Sequence, residues 1–302
     1  MVKLRANAPG RLPPWIRVKV NAGAQRRQVG ELVDGLQLHT VCQSAKCPNL
    51  AECWHRGTAT FMLLGNSCTR QCAFCAIDSF NPEPVDAFEP TRVSEAVQRL
   101  RLSYVVLTSV DRDDLPDKGA GHWARTIEAI RRRSPHTGIE GLTPDFKGRR
   151  DLIAEVIAVR PRVFNHNLET CERLTPPIRS GAQYRRSLDV LRIARELAQG
   201  QVAIKSGIMV GLGETDDEVA ATLRDMVGAG VQILTIGQYL PPTRRHWPLH
   251  RYVTPEQFTA WAEYAKELGF VAIASSPLVR SSYRADELAT AVLGPQPLHQ
   301  PA

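Results

Sequence analysis

From residue 59 onward the chain alternates two hydrophobic patterns. Short apolar and β-branched runs occur at ATFMLL (59–64), YVVLT (104–108), IEGLT (139–143), RVFNH (162–166), VAIKSGIMV (202–210) and VQILTIGQY (231–239). Each is bounded by Gly, Pro or polar turns, which marks buried strands. Between them lie helical patterns around 94–101, 122–133, 149–159 and 185–198. Two more helices declare their starts. Thr215-Asp216-Asp217-Glu218 is a capping box, followed by Val219, Leu223, Met226 and Val227 at helical spacing. Thr254-Pro255-Glu256-Gln257 is a second box, with Pro at the first helical position. Strand–helix alternation repeated six times predicts an α/β fold with a parallel sheet covered by helices. With VAIAS (271–275) as a further strand, the expectation is a partial (βα)6 TIM-like barrel.

The barrel is expected over 59–275. Before it, residues 1–58 form an N-terminal extension. Its first part, 1–38, reads as an irregular arm punctuated by Pro9, Pro13 and Pro14; a cysteine-rich segment (39–80) follows. Residues 276–302 are a C-terminal closing segment and tail. In a parallel barrel the chemistry sits at the carboxyl ends of the strands, which is where the loop after ATFMLL falls.

Composition narrows the class. Apolar content of 43% and charged content of 23% suit an ordinary globular chain. No stretch approaches the roughly 20 apolar residues of a membrane span, and the first residues do not read as a secretory signal. The expected location is the cytoplasm, with an organelle matrix also open. A net charge of +7 favours an acidic partner. Its excess is spread in short clusters at Arg131–Arg133, Arg149–Arg150, Arg185–Arg186 and Arg244–Arg245, each most simply a solvated helix face. No nucleic-acid-binding motif is present, and aromatic content is 6%.

Six of the seven cysteines fall in two triplets, Cys42–Cys47–Cys53 and Cys68–Cys72–Cys75. Without an export signal, this argues for metal binding rather than a disulfide framework. CTRQCAFC (68–75) has C-x3-C-x2-C spacing, and three close thiolates hold three irons of a [4Fe–4S] cubane. A fourth iron without a cysteine is a reaction site, as an open position is in catalytic zinc sites. Two other readings stay open: a zinc knot, which wants four ligands, and a ferredoxin-like carrier, which wants a fourth cysteine per cluster.

With Phe74 before its last cysteine, CTRQCAFC resembles the signature of the radical S-adenosylmethionine (SAM) superfamily. The resemblance implies SAM on the open iron, one-electron cleavage of its sulfonium, and a 5′-deoxyadenosyl radical that removes hydrogen from an unactivated C–H bond. Gly207-Ile208-Met209-Val210-Gly211-Leu212-Gly213-Glu214 resembles the superfamily's G-x-I-x-G-x-x-E adenine-binding segment, with Met209 where isoleucine is usual. Gly207, Gly211, Gly213, Glu214 and Phe74 are therefore candidate SAM contacts.

The first triplet, with C-x4-C-x5-C spacing, resembles the lipoyl synthase family in particular. Matching blocks over about 12–286 include PPWI, CPNLAECW, TSVDRDDLPD, LTPDFKG, YRRSLDVL, LTIGQYLPPT, RYVTPEQF and PLVRSSY. The resemblance implies a second [4Fe–4S] cluster that donates sulfur, held by Cys42, Cys47, Cys53 and Ser282 of RSSY. It implies a sulfurtransferase that inserts sulfur at C6 and C8 of a protein-bound octanoyl group, using two SAM molecules in turn. Its partners would be an octanoylated lipoyl carrier domain or glycine-cleavage H protein, a reducing electron donor and an iron–sulfur carrier for cluster repair. Neither nucleic acid nor a membrane is among them. A methylthiotransferase is the nearest alternative enzyme, and the RSSY segment and the first triplet's spacing argue against it. Cys171 stands where the family has an aliphatic residue and is most simply a small buried hydrophobe. Arg284 and Ser276 also depart from the family pattern, at no ligand position. His39 and His166 read as hydrogen-bonded histidines rather than ligands.

Overall fold

All six apolar runs and VAIAS become strands of one sheet, seen in a computed structural model that describes residues 12–16, 24–41, 49, 59–79 and 81–295. In chain order the strands are β1 (His39–Thr40), β2 (Thr60–Leu63), β3 (Ser67–Cys68), β4 (Asp78–Ser79), β5 (Tyr104–Ser109), β6 (Gly138–Leu142), β7 (Val163–Asn165), β8 (Ala203–Val210), β9 (Ile233–Gln238) and β10 (Ala272–Ser275). The main sheet runs β1-β2-β5-β6-β7-β8-β9-β10, and β3 and β4 form a separate pair. β1 is antiparallel to β2, and every other pairing in the main sheet is parallel. β1 and β10 are its edges, so the barrel is partial.

The helices are α1 (Ala24–Gly35), α2 (Glu89–Arg99), α3 (Ala120–Arg133), α4 (Arg150–Ala158), α5 (Thr175–Ile178), α6 (Tyr184–Ala198), α7 (Asp216–Gly228), α8 (Pro255–Leu268) and α9 (Ala285–Leu293). Six strands, β2 and β5 through β9, are each followed by one of α2, α3, α4, α6, α7 and α8. Both caps form, the first as the full box that the sequence predicts and the second as the Thr254 side-chain cap alone. The Thr215 side chain accepts from the Glu218 N–H while Glu218 reaches back to the Thr215 N–H, and Thr254 accepts from the Gln257 N–H. Among the described residues no helix is long and apolar enough to cross a membrane.

The expectation of an irregular arm over 1–38 needs correction. Residues 24–35 are helical, and Val29 and Val33, one turn apart, bury themselves in the main core beside Leu38. Two valines among polar neighbours are a thin signal, and the nearby prolines mask it.

Side chains alternate across the sheet with period two. Val105, Leu107, Phe164, Ile204 and Leu234 join the core under the outer helices. Their neighbours Tyr104, Val106, Val163, Ala203, Ile233 and Ala272 form a second cluster with Ala285 and Ala289 of α9. Helix α9 therefore plugs the inner face at the amino ends of the strands, its alanines one turn apart against the sheet. Farther along the inner face lies a polar layer. Lys205 and Glu140 pair at 2.8 Å, both fully buried, and the Asn165 amide donates to Glu140 at 2.9 Å. A Lys–Glu pair has no place in a simple reading of VAIKSGIMV as an apolar strand.

His166 follows β7. Its Nδ1 meets the Thr143 carbonyl at 2.9 Å and its Nε2 meets Ser187 Oγ at 3.0 Å, so it is a hydrogen-bonded structural histidine. Burial, helped by Arg179, brings its pKa down to about 4. The unfolded chain then binds more protons between about pH 4 and 6.5, and the native state loses stability as the pH falls through that window. The difference in unfolding free energy between the parent chain and His166→Gln should accordingly narrow as urea titrations move from pH 7 to pH 4. A constant difference would show that His166 does not titrate in this way.

Candidate iron–sulfur and SAM site

The chain leaves β2 at Leu63 and enters the loop that carries CTRQCAFC, so the loop stands at the carboxyl edge of the sheet. Apart from the two-residue strands β3 and β4, this loop has little regular structure. It is fixed by Arg70, between the first two cysteines. The guanidinium pairs with Asp113 at 2.8 Å, Asp145 at 2.7 Å and Asp111 at 3.3 Å, and its side chain is 5% exposed. Asp111 and Asp113 follow β5 and Asp145 follows β6. Burial alone would raise the Asp145 carboxyl, but hydrogen bonding and charge from Arg70 hold it well below the usual carboxylate range. Thr69 completes the junction: its N–H donates to the Asp111 carbonyl, and its hydroxyl accepts from the Asp113 N–H at 2.9 Å.

Cys68, Cys72 and Cys75 are half-buried and free of disulfides. Burial pushes the thiols up, Cys72 to about 12 and Cys75 to about 11, and it raises Cys68 with help from Asp111. Thiols of this kind are poor nucleophiles. As metal ligands they would release protons on binding. Cys68 Sγ accepts from the N–H groups of Asp111 at 3.3 Å and Arg70 at 3.4 Å, the contacts that stabilise and tune an iron-bound thiolate. Among the described residues no three His, Cys, Asp or Glu side chains converge on a single-ion site. Three half-buried free thiols on one loop, one of them accepting two backbone N–H bonds, are a donor set that suits an iron–sulfur cluster.

The far side of the loop is held by the segment after β9. The Trp247 N–H donates to the Ala73 carbonyl at 2.8 Å, and His246 Nε2 meets the Cys75 carbonyl at 3.0 Å. Phe74 packs with Met209, Trp247 and Leu249 around the buried cluster of Leu174, Ile178, Leu212, Tyr239 and Cys171. Cys171 is the buried hydrophobe the sequence suggests. Phe74 of the cysteine loop and Met209 of the glycine segment thus share one apolar wall.

In that segment, Glu214 accepts from the Gly211 N–H at 2.6 Å and the Leu212 N–H at 2.9 Å, folding the turn onto its own carboxylate. Gly211 sits at φ 95°, and a Cβ there would lie 2.5 Å from the Arg251 carbonyl oxygen, so no other residue fits. Gly213 follows at φ 112°, beside a cleft it shares with Glu214, Thr215, His250 and Arg251. Gly207 lies within β8, where a Cβ would come 2.2 Å from Thr235 Oγ1.

Cys42, Cys47 and Cys53 lie outside the described residues. Asn49, from the same stretch, is described, and its amide donates to the Leu278 carbonyl at 2.6 Å. Leu278 lies four residues before Ser282. Ser282 is half-buried. Ser281 accepts from the Asn167 amide at 2.6 Å, and that amide also donates to Glu169 at 3.0 Å. Asn49, Asn167, Glu169 and Ser281 went unassigned in the sequence. The signal available was polar residues just past a barrel strand, in HNLET.

A partial parallel barrel with a three-thiol loop at its carboxyl edge defines a radical SAM protein, and the Radical SAM superfamily model matches residues 62–226. Solved structures agree on the fold. The hydrogenase maturase HydG from Carboxydothermus hydrogenoformans aligns with a TM-score of 0.58 at 12% identity, over 88% of this chain and 69% of that one. Methylornithine synthase (PylB) aligns at 0.57 and 13% identity, over 79% and 73%. Within the superfamily the chain belongs to the lipoyl synthase family. It is 53% identical to the lipoyl synthase of Rubrobacter xylanophilus over 91% of this chain and 85% of that protein. It is 53% identical to the one from Methylococcus capsulatus, over 97% and 91%. The cofactors that go with this membership are SAM and [4Fe–4S] clusters.

The clamp yields a prediction. Arg70→Met strips Asp111 of its ion pair and leaves the buried Asp145 to Arg186 alone. The variant should lose on the order of 3 kcal/mol of unfolding free energy and take up less iron on anaerobic reconstitution. An unchanged urea midpoint together with unchanged iron content would remove Arg70 as the anchor of the loop.

Proposed function

We propose that the chain inserts two sulfur atoms into an octanoyl group carried on a lipoyl domain or H protein, with its two cysteine triplets in separate roles. Cys68, Cys72 and Cys75 hold the cluster on which SAM is cleaved. Cys42, Cys47, Cys53 and Ser282 hold the cluster that gives up sulfide. When bound, the clusters and SAM supply a one-electron reductant, a 5′-deoxyadenosyl radical and sulfide. Two C–H bonds, at C6 and C8, would give way to two C–S bonds as two SAM molecules and two electrons from the donor yield two methionines and two 5′-deoxyadenosines that carry off the two hydrogens, the electron released in forming each C–S bond passing to the iron that gave up the sulfide.

The chain's own residues supply placement and exclusion of water. Arg70 and its aspartates fix the cysteine loop against the sheet. The Asp111 and Arg70 N–H groups favour the thiolate form of Cys68. Glu214 shapes the turn at Gly211 and Gly213 so that backbone faces the ligand, and Phe74 and Met209 give the site an apolar side. An electron donor and an iron–sulfur carrier that rebuilds the sulfur-donating cluster complete the proposed partners, and the net positive charge suits an acidic carrier domain.

The observation that carries the pairing of the two sites is the Asn49–Leu278 bond, which joins segments 229 residues apart. It places Asn49, which stands between Cys47 and Cys53 in the sequence, beside the segment that leads to Ser282. A serine oxygen is a harder ligand for iron than thiolate, which suits a corner that must open.

The test is anaerobic reconstitution followed by SAM, a reductant and an octanoylated carrier domain. The expected protein holds about eight irons, four per cubane, and forms 5′-deoxyadenosine and lipoyl carrier. Cys72→Ala should abolish SAM cleavage, whereas Cys47→Ala should keep cleavage and lose sulfur insertion. Ser282→Cys should assemble its cluster and fail to transfer sulfur. Far fewer than eight irons, or full lipoyl formation by Ser282→Cys, would overturn the assignment of roles.

A further inference from the structure

The C-terminal segment 276–283 has neither helix nor strand and must be held by others. Its first half is well tied. The Ser276 N–H donates to the Ile236 carbonyl at 3.2 Å, and the Gln238 N–H donates to the Pro277 carbonyl at 3.2 Å, both at the end of β9. Asn49 holds Leu278. Gly237 admits the Val279 carbonyl to 2.2 Å from where a Cβ would stand. Each of these ties falls at or before Val279. Past it, Ser281 is bonded to the barrel by the Asn167 amide at 2.6 Å, across 114 residues of chain.

Asn167 is a firm mount. It is buried, its amide also reaches Glu169, and the backbone around it pairs with β8 through Glu169 N–H to the Gly207 carbonyl and Met209 N–H to the Glu169 carbonyl. A hydroxyl bonded here is fixed relative to β8.

We propose that Ser281 is a positioning residue for its neighbour Ser282, acting through Asn167; this rests on the reading of Ser282 as a cluster ligand. An oxygen ligand competes poorly for iron against thiolate, so its hold depends on being placed in advance. A single neutral hydrogen bond shifts such an equilibrium by about three- to tenfold. The bond also links the Ser282 segment to the strand end beside the glycine segment. The two cluster regions are thereby tied through two adjacent serines and one asparagine.

Ser281→Ala and Ser281→Thr in the full chain test this, with three readouts. Amide hydrogen exchange over 279–284, measured before reconstitution, should accelerate about three- to tenfold in the alanine variant and return towards the parent in the threonine variant. After reconstitution, iron of the sulfur-donating cluster should be lost faster to a chelator, while the spectroscopic signature of the SAM-binding cluster stays unchanged. The ratio of 5′-deoxyadenosine to lipoyl product should rise, again with rescue by threonine. Parent-like exchange and iron retention in Ser281→Ala would overturn the proposal. So would equal loss of both clusters, or failure of threonine to rescue. A parent chain that forms no lipoyl product would count against the function itself, whereas the exchange comparison would still judge Ser281.

Discussion

The guanidinium of Arg70 decides where the cysteine loop stands. A loop with two-residue strands cannot place itself, and burying this cation with Asp145 is tolerable only because the guanidinium is paired on every side, with the half-buried Asp111 and Asp113 as its other partners. The arrangement bolts the loop to the ends of β5 and β6 together. The spacing of the three thiols therefore depends on two strands whose own sequences carry no ligand. Asp145 in turn reaches Arg186 at 2.8 Å, so α6 feels the same network.

The strands were legible because a parallel sheet buries both faces, leaving continuous apolar runs such as YVVLT that need no partner to be read. The helices with capping boxes were legible at their starts for a local reason too. What escaped was fixed by distant partners. Helix α9 packs through Ala285 and Ala289, residues too small to mark an apolar face. Lys205 and Glu140 are polar because they face each other inside the barrel. Three thiols at fixed spacing could be read as a cluster loop. TSVDRDDLPD and LTPDFKG were visible as blocks, yet their aspartates gained a purpose only when the fold brought them to Arg70.

The same rule separates the two halves of the site. The proposed SAM side is marked by neighbours in sequence, a loop, a turn and a glutamate that caps its own turn, although Arg70 and the aspartates after β5 and β6 place the loop. The proposed sulfur-donating side is assembled across the chain: Asn49 meets Leu278 and Asn167 meets Ser281, each over more than a hundred residues. Local motifs suffice to recognise the first, not to place it. The second exists only in the folded protein, so damage to packing should reach it sooner.

Helix α9 acts as a stopper at the bottom of the lumen, under the Lys205–Glu140 layer. An acyl chain entering from the carboxyl rim, as proposed, would meet the Lys205–Glu140 pair before it met the helix. The C-terminal segment that carries the two serines thus also supplies the helix that closes the inner face at its base.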